Sequence, residues 1–192
     1  MKTILTIAAL AIGLSIPARA QTVPTYSTLT ASGSTTAVVY FATSPFQQVR
    51  IVNAFATSDL SSGQMSFRSG VTPMTVAYTN AAGAQVGVAA TNGFTVGTWC
   101  LIETQAGVTT NGIITSFGAA TNIVFGQNVC ATKPGDQIYS LSSPVAMTVG
   151  AASVTWSGDA LYVGNRGRPV MVRVNGTSAC SLDTITGRYE ES

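Results

Sequence analysis

Residues Ala152 to Leu182 read ASVTWSGDALYVGNRGRPVMVRVNGTSACSL, and the fold class is decided in this stretch. Val170, Val172 and Val174 alternate with Met171 and Arg173, which is the period-two pattern of a half-buried strand. Asn175-Gly176 follows directly, and Asn-Gly is the strongest short-range signal for a two-residue type I′ hairpin. Such a turn predicts Val174 opposite Thr177, Val172 opposite Ala179 and Met171 opposite Cys180. Cys180 would then share a face with Met171 and Arg173, near a sheet edge. Upstream, Ser157-Gly158-Asp159 divides a strand around Val154–Trp156 from one around Leu161–Val163. Gly164 to Pro169 makes a longer turn. The expectation is an antiparallel meander.

The rest of the chain repeats this grammar more weakly. Thr22 to Thr36, rich in Ser and Thr, reads as an extended N-terminal arm or an edge strand. Strands are expected at Ala37–Phe41, Gln47–Phe55, Gln64–Arg68 and Val71–Thr79, then at Phe94–Glu103 and Ile113–Phe117. Further strands follow at Ile123–Phe125, Gln137–Leu141 and Val145–Val149. Asn80 to Gly93 is rich in small residues; helix is an option there, but its three glycines argue against it. Lys133-Pro134-Gly135-Asp136 carries the Pro-then-Gly order of a type II turn. No segment sustains a helical apolar period with caps. About a dozen short strands punctuated by Gly, Pro and Asn predict an all-β antiparallel sandwich or barrel, one domain over residues 21–192.

The N-terminus predicts export. Lys2, the apolar run Ile4–Ile16 and Ala18-Arg19-Ala20 match the three regions of a secretory signal peptide, residues 1–20, cleaved before Gln21. The run is shorter than the about 20 residues a membrane-spanning helix needs, and no later stretch is long and apolar enough. Taking 20 residues from 192 leaves 172, enough for a core of its own. Losing Lys2 and Arg19 reduces nine basic residues to seven, against seven acidic. A neutral chain lacks the basic stripe that nucleic acid requires. The expected location is secreted, cell-surface or periplasmic.

Chemistry is constrained most by an absence: the sequence contains no His. That removes the commonest general base, the usual activator of Ser or Cys, and the commonest metal ligand. No C-x-x-C occurs, and the acids are isolated rather than in a calcium-loop pattern. No cofactor or metal site is therefore expected. Cys100, Cys130 and Cys180 leave one thiol over in an exported chain, and Cys100–Cys130 is the favoured disulfide. Lys133 reads as a solvated turn residue. Glycoside hydrolysis needs two acids and no His, so Glu103 with Asp136 or Asp159 is the surviving catalytic option. The structural reading of Glu103, a strand carboxylate paired with Arg50 or Arg173, is preferred, and no residue is assigned as catalytic.

Trp99, Trp156, Tyr139 and Tyr162 could stack on sugar rings, although strand-embedded aromatics more often fill a core. Arg166 and Arg168 form a basic loop tip near Arg173, a further candidate contact. The texture resembles that of β-rich surface, fibre and virion proteins generally, with no motif tying it to one family. The leading expectation is an exported, non-enzymatic structural or surface protein whose partner is itself or another surface protein. A carbohydrate-binding β-sandwich, a virion decoration or tail protein, and a glycan-cleaving enzyme using Glu103 are the alternatives. The signal peptide counts against the virion protein.

Overall fold

The computed structural model describes residues 24–149 and 154–191. The expected signal peptide at residues 1–20 lies outside them. Thirteen strands and one short 3-10 turn make up the regular structure of the described residues, and the fold is all-β. A four-stranded sheet runs β1 (Thr25–Gly33), β13 (Cys180–Glu191), β3 (Gln47–Ser58), β11 (Val154–Val163). The second, larger sheet begins β2 (Thr36–Phe41), β12 (Val170–Asn175), β4 (Gln64–Thr75), β9 (Gln137–Leu141). It continues through β6 (Trp99–Glu103), β7 (Thr109–Gly118), β8 (Asn122–Val129) and β5 (Gly83–Gly87). β10 (Val145–Thr148) pairs with the first half of β4, on the edge that β9 uses further along.

The meander expected at Ala152–Leu182 is not formed. β12 pairs with β2 and β4 in the large sheet, whereas β13 pairs with β1 and β3 in the small one. Asn175-Gly176 is therefore a crossing between sheets and not a hairpin. The local turn preference is overridden by Asp59, whose carboxylate accepts the Thr177, Ser178 and Ala179 amides at 2.7, 2.6 and 3.1 Å. The two expected strands flanking Ser157-Gly158-Asp159 are one strand, β11. Its register against β3 slips between Ser157 and Tyr162, so the Gly-Asp segment forms a bulge instead of a turn. Cys180 is buried and central, because β13 has a neighbour on each side.

Alternation explains the burial of β12. Val170, Val172 and Val174 point between the two sheets, joining Phe41, Ile51, Phe67, Leu182 and Ile185 in the sandwich core. Met171 points the other way and is equally buried, with Leu101 and Leu141. β12 is thus covered on both faces, where the sequence suggested one.

Beyond Gly70 the large sheet changes character. Gln64–Arg68 and Val71–Thr79, expected as two strands, are merged by β4, which ends at Thr75 and bends where its register with β9 slips between Gly70 and Pro73. Proline has no N–H to give a ladder, and a bulge is where a strand tolerates it. From this bend β4, β9, β6, β7, β8 and β5 curl into a half-barrel whose ends meet at the bridge Val76–Val88. Its interior holds Val86, Cys100, Ile102, Ile114, Ile123, Phe125 and Ile138. Asn80–Gly93 contains β5 rather than a helix. The strand expected over Phe94–Glu103 forms only from Trp99. Tyr40 accepts a hydrogen bond from Asn111, and the Arg173 guanidinium lies 4.9 Å from the Trp99 ring centre. These contacts, with the Leu101, Leu141 and Met171 cluster, pack the back of the sandwich sheet against the half-barrel.

Candidate functional site

The aromatic candidates do not form one platform. Trp156 and Tyr162 lie on β11 and pack against the sandwich core; Tyr162 stacks on Phe67 with ring centres 5.7 Å apart. Trp99 is half-buried on the back of the half-barrel beneath Arg173. A sugar platform needs aromatic faces side by side, and these rings are divided between the sandwich core and the back of the half-barrel.

Arg166 and Arg168 do share a small hollow of ≈ 370 Å³ with Tyr139, Gln137, Thr43 and Pro45. The loop carrying them is pinned, not a free tip. Gly167 donates to the Gln47 carbonyl at 2.7 Å, and Asn165 donates from its amide to the Ser69 hydroxyl at 2.8 Å. Gly167 has φ of 64°, and a Cβ there would stand 2.8 Å from the Pro45 carbonyl oxygen. Only glycine suits that approach.

Glu103 is not paired with either expected arginine. Arg50 bonds Glu190, which Arg188 also meets at 2.6 Å, and Arg173 bonds the Thr36 hydroxyl while covering Trp99. Glu103 lines a hollow of ≈ 450 Å³ with Tyr40, Leu101 and Pro169, and burial pushes its carboxyl above the usual range. Asp136 lines a different hollow, and its carboxylate accepts the Gln105 and Lys133 amides, both at 2.9 Å. Asp159 sits exposed in the β11 bulge. The acids considered as a catalytic pair therefore line no common cleft.

All three cysteines are free thiols. Cys100 points into the half-barrel from β6, and burial lifts its thiol to about 12. Cys130 follows β8 and packs against the same core, with β7 standing between β6 and β8. The expected Cys100–Cys130 bond is not formed.

β1 docks on β13 as an edge strand, the second of the two readings expected for the Thr22–Thr36 stretch. β2 is the corresponding edge of the large sheet, joined to β1 by the tight turn after Gly33. No Asp, Glu, Lys or Arg occurs between Arg19 and Arg50, so neither edge carries a charge. No proline interrupts β1 or β2. Tyr26, Thr28, Thr30 and Ser32 are exposed, while Leu29 and Ala31 turn toward the core. The sequence signal was this charge gap. The other edge of the small sheet, β11, is broken by its bulge.

No family model matches the sequence, and no curated protein matches it. Among solved structures, the chain is similar to VP17, a capsid protein of bacteriophage P23-77, at 11% identity with a TM-score of 0.16. That likeness covers 88% of this chain and 98% of the other. It is also similar to the infectious bursal disease virus VP2 subviral particle at 13% identity and a TM-score of 0.14, covering 95% of this chain and 46% of that one. Likeness at this level assigns neither fold nor function. No helix among the described residues is long and apolar enough to cross a membrane.

Proposed function

We propose that this chain is an exported, non-enzymatic structural protein that acts by contact, with copies of itself or another surface protein joining at the β1–β2 side of the sandwich. The observation that carries this reading is the pair of adjacent sheet edges without charge or proline. Edge strands present unpaired backbone groups, and monomeric proteins blunt them with lysine, proline or bulges. β1 carries a register slip between Leu29 and Ala31 but no charged guard along Thr25–Gly33. Strand addition supplies backbone hydrogen bonds without needing charged partners. That Glu103 and Asp136 line different hollows and Asp159 lines neither, together with the absence of His, supports the non-enzymatic part.

Sedimentation of the purified protein over a concentration series tests the reading. Self-association is expected, and Thr28→Lys with Ser32→Lys should shift the protein to monomer while leaving its circular dichroism unchanged. Both residues are exposed on β1. A native protein that stays monomeric at high concentration and binds no surface partner would overturn the proposal.

A further inference from the structure

The half-barrel has a second hollow, of ≈ 660 Å³, at one end and away from the β1–β2 edge. That volume falls within the about 300–1,000 Å³ of small-molecule sites, which favour the mouths of β-barrels. Its wall is built mainly from Ala81, Thr104, Ala106, Val108, Cys130 and Ala131. The wall is held in place by backbone and turn bonds. Asn80 and Thr132 exchange amide bonds at 2.9 and 3.0 Å, and the Thr104 hydroxyl accepts the Val108 amide at 3.0 Å.

The polar groups of this wall are largely used by the protein. Asn80 Oδ1 accepts the Gly87 amide at 3.0 Å, and the Asp136 carboxylate, 1% exposed, is taken up by two backbone amides. What remains is an apolar lining, the Thr132 hydroxyl, which has no hydrogen-bond partner among the described residues, and Lys133. Lys133 is exposed and forms no ion pair among the described residues. Once residues 1–20 are set aside it is the sole lysine, and it stands at this hollow. Asp136 does not cancel its charge toward a ligand, since that carboxylate is buried and turned into the Lys133–Asp136 turn.

We infer that this hollow binds a small amphipathic monoanion of the medium-chain fatty-acid type, its chain on the apolar wall and its carboxylate at the Lys133 ammonium. Charge complementarity selects this class over a neutral lipid. The site is independent of the contact role proposed above, and either reading can fail without the other.

Cys130 provides the readout, because it is the only partly exposed thiol; Cys100 and Cys180 are buried. The rate of Cys130 alkylation is measured on the purified protein with decanoate, with decanol, and without addition, at mildly alkaline pH. Decanoate should slow labelling, at concentrations about three- to tenfold lower than decanol requires. Lys133→Gln should remove that preference while the alcohol still protects. Ala106→Trp, at an exposed position that needs no refolding of the core, should abolish protection by both. Unchanged labelling in decanoate would overturn the proposal, as would a Lys133→Gln protein that keeps the preference for the acid.

Discussion

The sandwich and the half-barrel share β4 but are wired differently. In the sandwich every pair of successive strands lies in opposite sheets: β1 to β2, β2 to β3, β3 to β4, β10 to β11, β11 to β12 and β12 to β13. The half-barrel comes from the contiguous stretch after Gly70, and β6, β7 and β8 are successive partners. Hairpin rules therefore serve one half and mislead in the other. The sandwich core needs both ends of the chain, since β1 and β13 pair along most of their length. Its contacts are the costlier to close in entropy.

Truncating one core isoleucine in each half has the largest effect. Ile51→Ala opens the sandwich and Ile123→Ala the half-barrel; both side chains are fully buried. Each should cost about 2–5 kcal/mol. Because β4 lines both cores and Tyr40 ties to Asn111 across them, each variant should move one shared transition in denaturant. Followed by fluorescence and circular dichroism, a second transition moved by Ile123→Ala alone would show two independent folding units.

A smaller, paired effect comes from two strand glycines that lie under phenylalanine rings. A Cβ on Gly187 would meet Phe41 Cδ1 and Cε1 at 2.7 Å, and one on Gly112 would meet Phe125 Cδ1 at 2.8 Å. Alanine at either should cost about 1–3 kcal/mol through overpacking. Phe41 is clamped between the sheets with Val49 Cγ1 3.2 Å from the same added atom, whereas the three atoms nearest an added Cβ at Gly112 all belong to Phe125 of the neighbouring strand. Gly187→Ala should therefore lower the melting temperature more than Gly112→Ala. The reverse order would mean that the sandwich repacks more easily than its two-sheet clamp suggests.

Asp59 separates the halves by charge. The Ser178 hydroxyl and the amides of Thr177, Ser178 and Ala179 hold its carboxyl well below the usual carboxylate range. A depressed folded pKa gives stability that is present above the unfolded value, about 3.9, and lost as pH falls through the folded one. The native melting temperature should drop in acid more steeply than that of Asp59→Asn. Parallel curves would remove Asp59 as the holder of the crossing.

What was legible follows the same division. Residues Gln137–Leu141 were read with their final boundaries, and the Pro134-Gly135 turn was recognised: Gly135 has φ of 97° and Asp136 donates back to the Lys133 carbonyl at 3.1 Å. Period-two alternation found β3 and β12, and a short apolar run found β2, because side-chain character and direction are local properties. Partner choice is not local. Asn175-Gly176 carries a strong hairpin signal, yet the carboxylate that recruits the following amides is Asp59, more than a hundred residues away. The candidate contact side was half legible: Thr22–Thr36 reads as an arm or an edge strand, but that β2 forms a second edge beside it does not follow from local pattern. For Met171 the sequence showed alternation and could not show that a curled sheet covers its outer face.

The smallest effect is expected at Glu103, and its sign is opposite to that of Asp59. Burial raises its carboxyl and no ion pair among the described residues offsets the cost. A raised folded pKa means the fold prefers the protonated form, so its contribution is most favourable below the unfolded value, about 4.3. It is lost as pH climbs through the folded pKa. Glu103→Gln should leave the melting temperature unchanged in acid and raise it slightly at neutral pH, the half-exposed position keeping the gain small through solvent screening. A fall at neutral pH would mean that the charged carboxylate stabilises the fold after all. Hydrolysis of a glycan by the native protein, lost in Glu103→Gln with stability intact, would replace the contact role with catalysis at the cleft between the two halves.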